Sequence, residues 1–397
     1  MPVSHTAPIR TITLGIAEPH PLALATIQHA SSILHDAQQQ LSAEGYEVQT
    51  LRLSTRPIFD DLANWSDKAI IDYVQRLQVM LDETDLSFCS LGPAQVARPQ
   101  FPLARLALVP ELLASTRSLN VTAQMATLEH SIREDAALLI AQVMLRLAHE
   151  TDEGFGNFRF AMLACVFPGS PFYPAAYHTG TASLSLGIQG ASLVGEALHA
   201  LSAESDSILQ PALITERVRA TLVAYATPVI EMVRGIAQRH HVQFGGFDPS
   251  PAPMGADSIV TAIEQAGYGP FGSVGTLTVA AALTAALKTT GLPTCGYAGL
   301  MLPVLEDAAL GQRWSEGLVD VQTLLLYSAV CGTGLDTIPL SGDISVRAIA
   351  RILLDVATLA YRLRKPLSAR LFPVPNTHSG ETTAFTSPYL TNTLLRL

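Results

Sequence analysis

Short apolar runs with strand character alternate along this chain with stretches whose apolar residues recur at helical spacing. No other feature limits the fold as strongly. Strand-like runs are read at 9–17, 46–54, 86–91, 118–125, 158–167, 182–189, 242–247, 294–302, 329–338 and 367–372. Helical patterns fall between them at 21–44, 66–82, 101–115, 131–148, 212–240, 257–266, 276–288, 321–326 and 345–361. Such alternation predicts a mostly parallel sheet of about ten strands with helices outside it. One α/β domain over 1–397 is expected, with 1–8 as a flexible tail. Two fused α/β halves meeting near residue 205 are the alternative.

Composition agrees with a sheet buried on both faces, since 48% of residues are hydrophobic and 15% charged. Mean hydropathy is +0.30, which calls for a membrane check. The longest weakly polar stretch, 274–287, ends at Lys288, short of the ~20 apolar residues that span a bilayer. It therefore reads as a buried helix. Residues 1–10 lack the apolar core of an export signal. Cys89, Cys165, Cys295 and Cys331 lie far apart in apolar segments, which fits buried thiols in a reducing compartment. A cytoplasmic protein with no membrane partner is expected. The net charge of −10, with Lys68, Lys288 and Lys365 as the lysines, leaves no basic stripe for nucleic acid.

In parallel α/β sheets ligands gather at the carboxyl ends of strands, and that rule selects the candidate residues. Asp248 and Ser250 leave the strand at 242–247 on a loop stiffened by Pro249, Pro251 and Pro253. Asp248 suits an acid or base, and could equally close an Asx-turn. Gly272, Gly275 and Thr276 precede an Ala-rich helix and could cradle an anion, or merely permit tight packing. They form neither a Walker A loop nor a Rossmann fingerprint, so no nucleotide motif is present. His178, between two apolar strands, is the histidine best placed for acid–base work. Cys331, beside Gly332 and Gly334, is a candidate nucleophile. Asp336, with Glu306 and Asp307, could supply oxygen ligands to a divalent cation. Arg370 could hold a substrate carboxylate in a bidentate pair.

Four blocks of this sequence carry a resemblance. They are Arg10-Thr11-Ile12-Thr13-Leu14-Gly15-Ile16, residues 172–180, residues 244–258, and Cys331 to Asp336 with Pro339. In order and spacing they resemble the blocks of a prokaryotic family known as domain of unknown function 711. The F-G-x-x-D-x-S-x-A-P block at 244–253 is the most specific. The resemblance implies a closed α/β barrel of about ten strands, related to the pyruvate-formate-lyase-like fold, in a homodimer. It implies no assigned activity. No R-V-x-G-Y loop stands near the carboxyl terminus, which disfavours glycyl-radical chemistry. The chain also has Val274 where the family pattern carries histidine, and Gly296 where it carries asparagine.

Together these readings predict an enzyme acting on a small anionic metabolite at the strand carboxyl ends. Asp248, His178 and Cys331 would do chemistry, and Ser250, Gly272, Gly275, Thr276, Asp336 and Arg370 would hold substrate. The alternative is a non-catalytic metabolite-binding or regulatory protein that has lost an ancestral activity.

Overall fold

The computed structural model describes residues 7–203 and 208–396. Ten strands form one sheet: β1 (Ile9–Gly15), β2 (Leu51–Ser54), β3 (Cys89–Ala94), β4 (Leu119–Thr127), β5 (Ser131–Ile132), β6 (Phe160–Ala164), β7 (Ser183–Ile188), β8 (Gln243–Asp248), β9 (Gly334–Ser341) and β10 (Leu367–Val374). Their order is β8-β7-β1-β2-β3-β4-β6-β10-β9, with β5 paired to β4 alone. Strands β1, β2, β3, β4 and β6 run parallel. The flanking pairs β7–β8 and β10–β9 are each internally parallel but antiparallel to that central block.

The sheet is not closed by hydrogen bonds. Its edges β8 and β9 do not pair with each other, and the strand expected at 294–302 is an irregular segment between them. Pro293 and Pro303 bound it, and each removes a donor that a ladder would need. The segment meets each edge by a single bridge, Phe247 with Thr294 and Pro303 with Asp336.

Each predicted helical stretch contains a helix, although the one at 131–148 begins with β5 and turns helical from Ala137, and Ala191–Ala203 and Ala308–Glu316 are helices that the pattern did not predict. Asp67–Glu83 starts where the Ser66 hydroxyl accepts from the Ala69 amide. Thr276–Lys288 matches its predicted bounds. Val346–Leu363 turns Ile349, Leu353, Val356 and Ala360 to the core and ends at Arg364, whose φ is 53°. Pro211–Arg239 is long and apolar enough, by length and composition alone, to cross a bilayer. Interspersed charges hide this in the sequence. Thr215 Oγ1 ties the helix to the Ala282 carbonyl at 3.0 Å.

Residues 7 and 8 of the expected amino-terminal tail are held in the fold. Ala7 is buried and its carbonyl accepts from the Tyr225 hydroxyl at 2.7 Å, while Pro8 accepts from the Gln189 amide. Residues 1–6 lie outside the described residues, as does the alternative boundary near 205.

The connection from β6 to β7 does not stay on the surface. Residues 170–178 run along the inner face of β1, β2 and β3, and all but Tyr173 are buried. Thr13 Oγ1 donates to the Pro171 carbonyl at 2.9 Å, and Ser90 Oγ to that of Ala176 at 2.5 Å. The Tyr173 hydroxyl donates to the Leu53 carbonyl and accepts from the Ser90 amide. The His178 amide donates to the Thr55 carbonyl at 3.0 Å. Glycine in the strands makes room: a Cβ on Gly15 would lie 2.1 Å from the His178 ring, and one on Gly187 2.5 Å from Phe172.

Asp307 stitches two helix starts together, those of Ile259–Glu264 and Ala308–Glu316. Buried, it accepts from Ser258 Oγ at 2.6 Å and from the Ile259 and Leu310 amides at 3.0 Å. Asp307→Ala leaves those donors without an acceptor, and we expect a loss of about 4 kcal/mol. The midpoint of chemical denaturation checks it; an unchanged midpoint contradicts the role.

Candidate functional site

A cavity of about 220 Å3 sits toward the amino-terminal ends of the central strands. Arg10 and Arg52 are the second residues of β1 and β2, and Arg159 immediately precedes β6. Ser368 and Arg370 of β10 both face the cavity, as residues two apart in a strand must. Asp336 of β9 lies beside Arg370 and donates no proton to it: Arg370 Nε donates to Asp336 Oδ1 at 2.6 Å. Arg370 Nη2 donates to Glu306 Oε1 at 2.5 Å, and the guanidinium lies over the Phe158 ring at 4.8 Å. Burial works against its charge, yet these two carboxylates hold its pKa above the ordinary value. Burial raises the Glu306 carboxyl, against the pull of Arg370.

Arg52 is different. Its guanidinium lies over the rings of Phe88 and Tyr173, at 5.3 and 5.0 Å from their centroids. Its Nε donates to Thr50 Oγ1 at 3.0 Å, and its terminal nitrogens make no hydrogen bond among the described residues. Burial, aided by the nearby Arg10 charge, pushes its pKa down to about 9. It is therefore still cationic at neutral pH. Arg10 reaches Gln49 at 3.2 Å but stands 3.8 Å from Glu306, whose other oxygen serves Arg370. Arg159 spends its donors on the Leu119 and Leu113 carbonyls.

The walls are aromatic. Phe155 stacks on Phe158 at 4.9 Å, and Tyr389 continues the stack at 6.1 Å. Tyr297 lines the opposite part of the cavity with a buried hydroxyl that lacks a well-formed hydrogen bond. The neighbouring Ser368 hydroxyl gives its own proton to the Thr333 carbonyl at 3.0 Å.

Of the residues singled out in the sequence, the cavity brings together Glu306, Asp336 and Arg370. Asp248 and Ser250 stand behind its wall. Asp248 Oδ1 accepts from Ser250 Oγ at 2.6 Å and from the Ala298 amide at 3.1 Å, and Oδ2 from the Tyr297 amide at 2.9 Å. Ser250 Oγ accepts from the Gly299 amide. This pair fixes the loop that presents Tyr297. A Cβ on Gly296 would sit 2.0 Å from Asp248 Oδ2, so the close approach needs glycine there.

His178 lies at the far end of β1, its ring against Gly15 and Nε2 bonded to the Thr181 carbonyl at 2.9 Å. Burial lowers its pKa. Cys331 is buried, and burial pushes its thiol up to about 12, which works against the thiolate a nucleophile needs. Gly272, Gly275 and Thr276 form a turn closed on itself, the Gly272 amide donating to Thr276 Oγ1 at 3.1 Å. A Cβ on Gly272 would meet the Leu318 carbonyl at 2.3 Å, so packing explains that glycine. The expected oxygen ligands do not converge. Glu306 and Asp336 are held by Arg370, and Asp307 caps helices. Among the described residues no three His, Cys, Asp or Glu side chains form a metal-binding group.

The strand-end rule thus selected the wrong end for the arginine-lined cavity. Arg10, Arg52 and Tyr297 were missed. A signal existed for the first two: an arginine within an apolar strand, as in Ile9-Arg10-Thr11 or Leu51-Arg52-Leu53, is rarely buried without a partner or purpose. Tyr297 carried none. A second cavity, of about 510 Å3, does occupy the carboxyl ends of β2, β3, β4 and β6.

If Asp248 organises the wall, Asp248→Asn as well as Asp248→Ala should unfold at lower denaturant, the alanine variant by about 4 kcal/mol. The asparagine variant matters most, because it would present an N–H to a backbone N–H. Wild-type stability in Asp248→Asn would return the residue to a purely chemical role.

The family described as Uncharacterised ACR (DUF711) matches residues 1–386. A UPF0210 protein of Thermoanaerobacter sp. strain X514 is 27% identical over 406 residues, spanning 95% of this chain and 88% of its own. One from Pyrobaculum aerophilum is 29% identical over 352 residues, spanning 85% and 76%. A third, from Desulfovibrio desulfuricans, is 28% identical over 409 residues, spanning 95% and 88%. By a match that runs through nearly its whole length, the chain belongs to the uncharacterised DUF711 family.

Proposed function

We propose that the amino-terminal cavity binds a small organic anion with a flat, apolar body, and that the protein is an enzyme acting on it. Arg52 carries the reading. A buried guanidinium without a carboxylate partner is costly to the free protein, and a bound anion would supply the missing charge. Arg10 is its natural second contact. The rings of Phe88, Tyr173, Phe155 and Phe158 suit a planar body. Glu306, a buried carboxyl raised above its ordinary range, is the group that could take or return a proton.

The second reading, a binding protein without turnover, is favoured by one observation. Both Glu306 oxygens already face arginines, Arg370 at 2.5 Å and Arg10 at 3.8 Å. The bridging of both sheet edges by 294–303 supports reading the sheet as a barrel of the pyruvate-formate-lyase-like kind, which the family resemblance implies.

Thermal denaturation in the presence of benzoate, phenylacetate and their neutral amides tests the site. The carboxylates should raise the melting temperature and the amides should not. In Arg52→Met the shift should vanish, while the free variant gains stability on the order of 1–4 kcal/mol. Equal shifts from acids and amides, or a shift retained in Arg52→Met, would remove the proposal. The pH dependence has a definite sign. Folding lowers the Arg52 pKa to about 9, so the stability penalty is full below pH 9 and recedes above it. Anion affinity should fall over that same rise. Solvent deuterium incorporation into a bound acid, abolished in Glu306→Gln with binding intact, would separate enzyme from receptor.

A further inference from the structure

The cavity at the carboxyl-terminal ends of the central strands has its own chemistry. It is lined in part by Gln124, Tyr177, Arg56, Asp60, Arg98 and Glu129. Gln124 of β4 is only 2% exposed. Its Nε2 donates to the Val166 carbonyl at 2.9 Å, and the Tyr177 hydroxyl donates to the same oxygen at 3.0 Å. A carbonyl can only accept, so the amide orientation is fixed and the atom left over is Oε1. That oxygen is buried and has no partner. Tyr177 has likewise committed its proton and retains only lone pairs.

The charged walls point the same way. Arg56 is bound through two nitrogens to Asp61, at 3.0 and 2.7 Å, and Arg98 to Asp60 at 2.8 Å. Both arginines are neutralised, and among the described residues the exposed Glu129 carboxylate has only the His130 ring near it, at 3.7 Å. Cys165, also in the lining, adds no negative charge, since burial raises its thiol to about 11. Gln95 and Thr179 add groups of either hydrogen-bonding sense. The floor therefore offers acceptors, and the rim carries a surplus of negative charge. A buried amide oxygen with no donor forgoes a bond that a ligand can restore.

We propose that this second cavity binds a small organic cation rich in N–H donors, an ammonium or a guanidinium compound, with Gln124 Oε1 as its buried acceptor. The site is independent of the anion cavity, from which the apolar cluster of Ala161, Leu163, Val166, Ala175, Tyr177 and Tyr297 separates it.

Calorimetric titration of the full chain with n-butylamine, n-butylguanidine, tetramethylammonium and n-butyrate tests the proposal. The first two should saturate, and the tighter of them identifies the head group. Tetramethylammonium, a cation without N–H, and butyrate should not bind. Gln124→Met should weaken the better probe about tenfold, while Arg52→Met leaves it unchanged. Should Gln124→Met fail to fold, Asp60→Asn at the rim should weaken binding several-fold. The proposal is overturned by tetramethylammonium binding as well as n-butylamine, by wild-type affinity in Gln124→Met or Asp60→Asn, or by saturation with neither amine nor guanidine at millimolar concentration.

Discussion

A polypeptide segment buried against the inside of a sheet must find a partner for the amides and carbonyls it carries. The β6–β7 connection meets that demand with side chains of the sheet itself: Thr13 and Ser90 reach its carbonyls, and the edge of β2 takes the Tyr173 hydroxyl and the His178 amide. The interior of the protein follows from this docking. With the chain held there, Tyr173 forms one wall around Arg52 and Tyr177 becomes part of the floor at the other end. Hydroxyls on inward strand positions, Thr13 and Ser90, which look out of place in a core, are donors to a buried peptide.

Electrostatics then differ between the two ends. Near the strand starts, buried guanidiniums outnumber the carboxylates that could balance them, and each carboxylate is already paired. Near the strand ends, the arginines are paired and acceptors are left over. Water screens neither set well where side chains are buried. The apolar cluster between them keeps the opposed fields apart.

Much of the architecture was legible in the sequence because it rests on local periodicity. The runs around β1, β6, β8 and β10 and the helices at 67–83 and 276–288 announce themselves by apolar spacing and caps. The irregular 294–303 segment did not, because its composition is strand-like, while the prolines at its ends and the left-handed Gly296 and Ala298 stand against pairing. The site was far less legible. Arg10, Arg52 and Arg370 are brought together across more than 300 residues by strand order, and nothing local encodes that order. Asp248 and Ser250 stand out for their motif, and in the structure that motif fastens the 297–299 loop. Asp336 and Arg370 were found because a carboxylate and an arginine on late strands are conspicuous in a chain so poor in charge.

The buried connection also constrains how the chain assembles. It leads directly into β7, and β7 completes its place only by pairing with β1, Ile188 against Ile9. That pairing joins residues far apart in sequence, a slow event on grounds of loop closure alone. Here it has an additional condition. The ladder between β1 and β7 cannot be finished with 170–178 outside, because the segment must already lie beneath β1 when Gly15 meets the His178 ring. Strand β1 is thus completed by a partner that brings the contents of the interior with it.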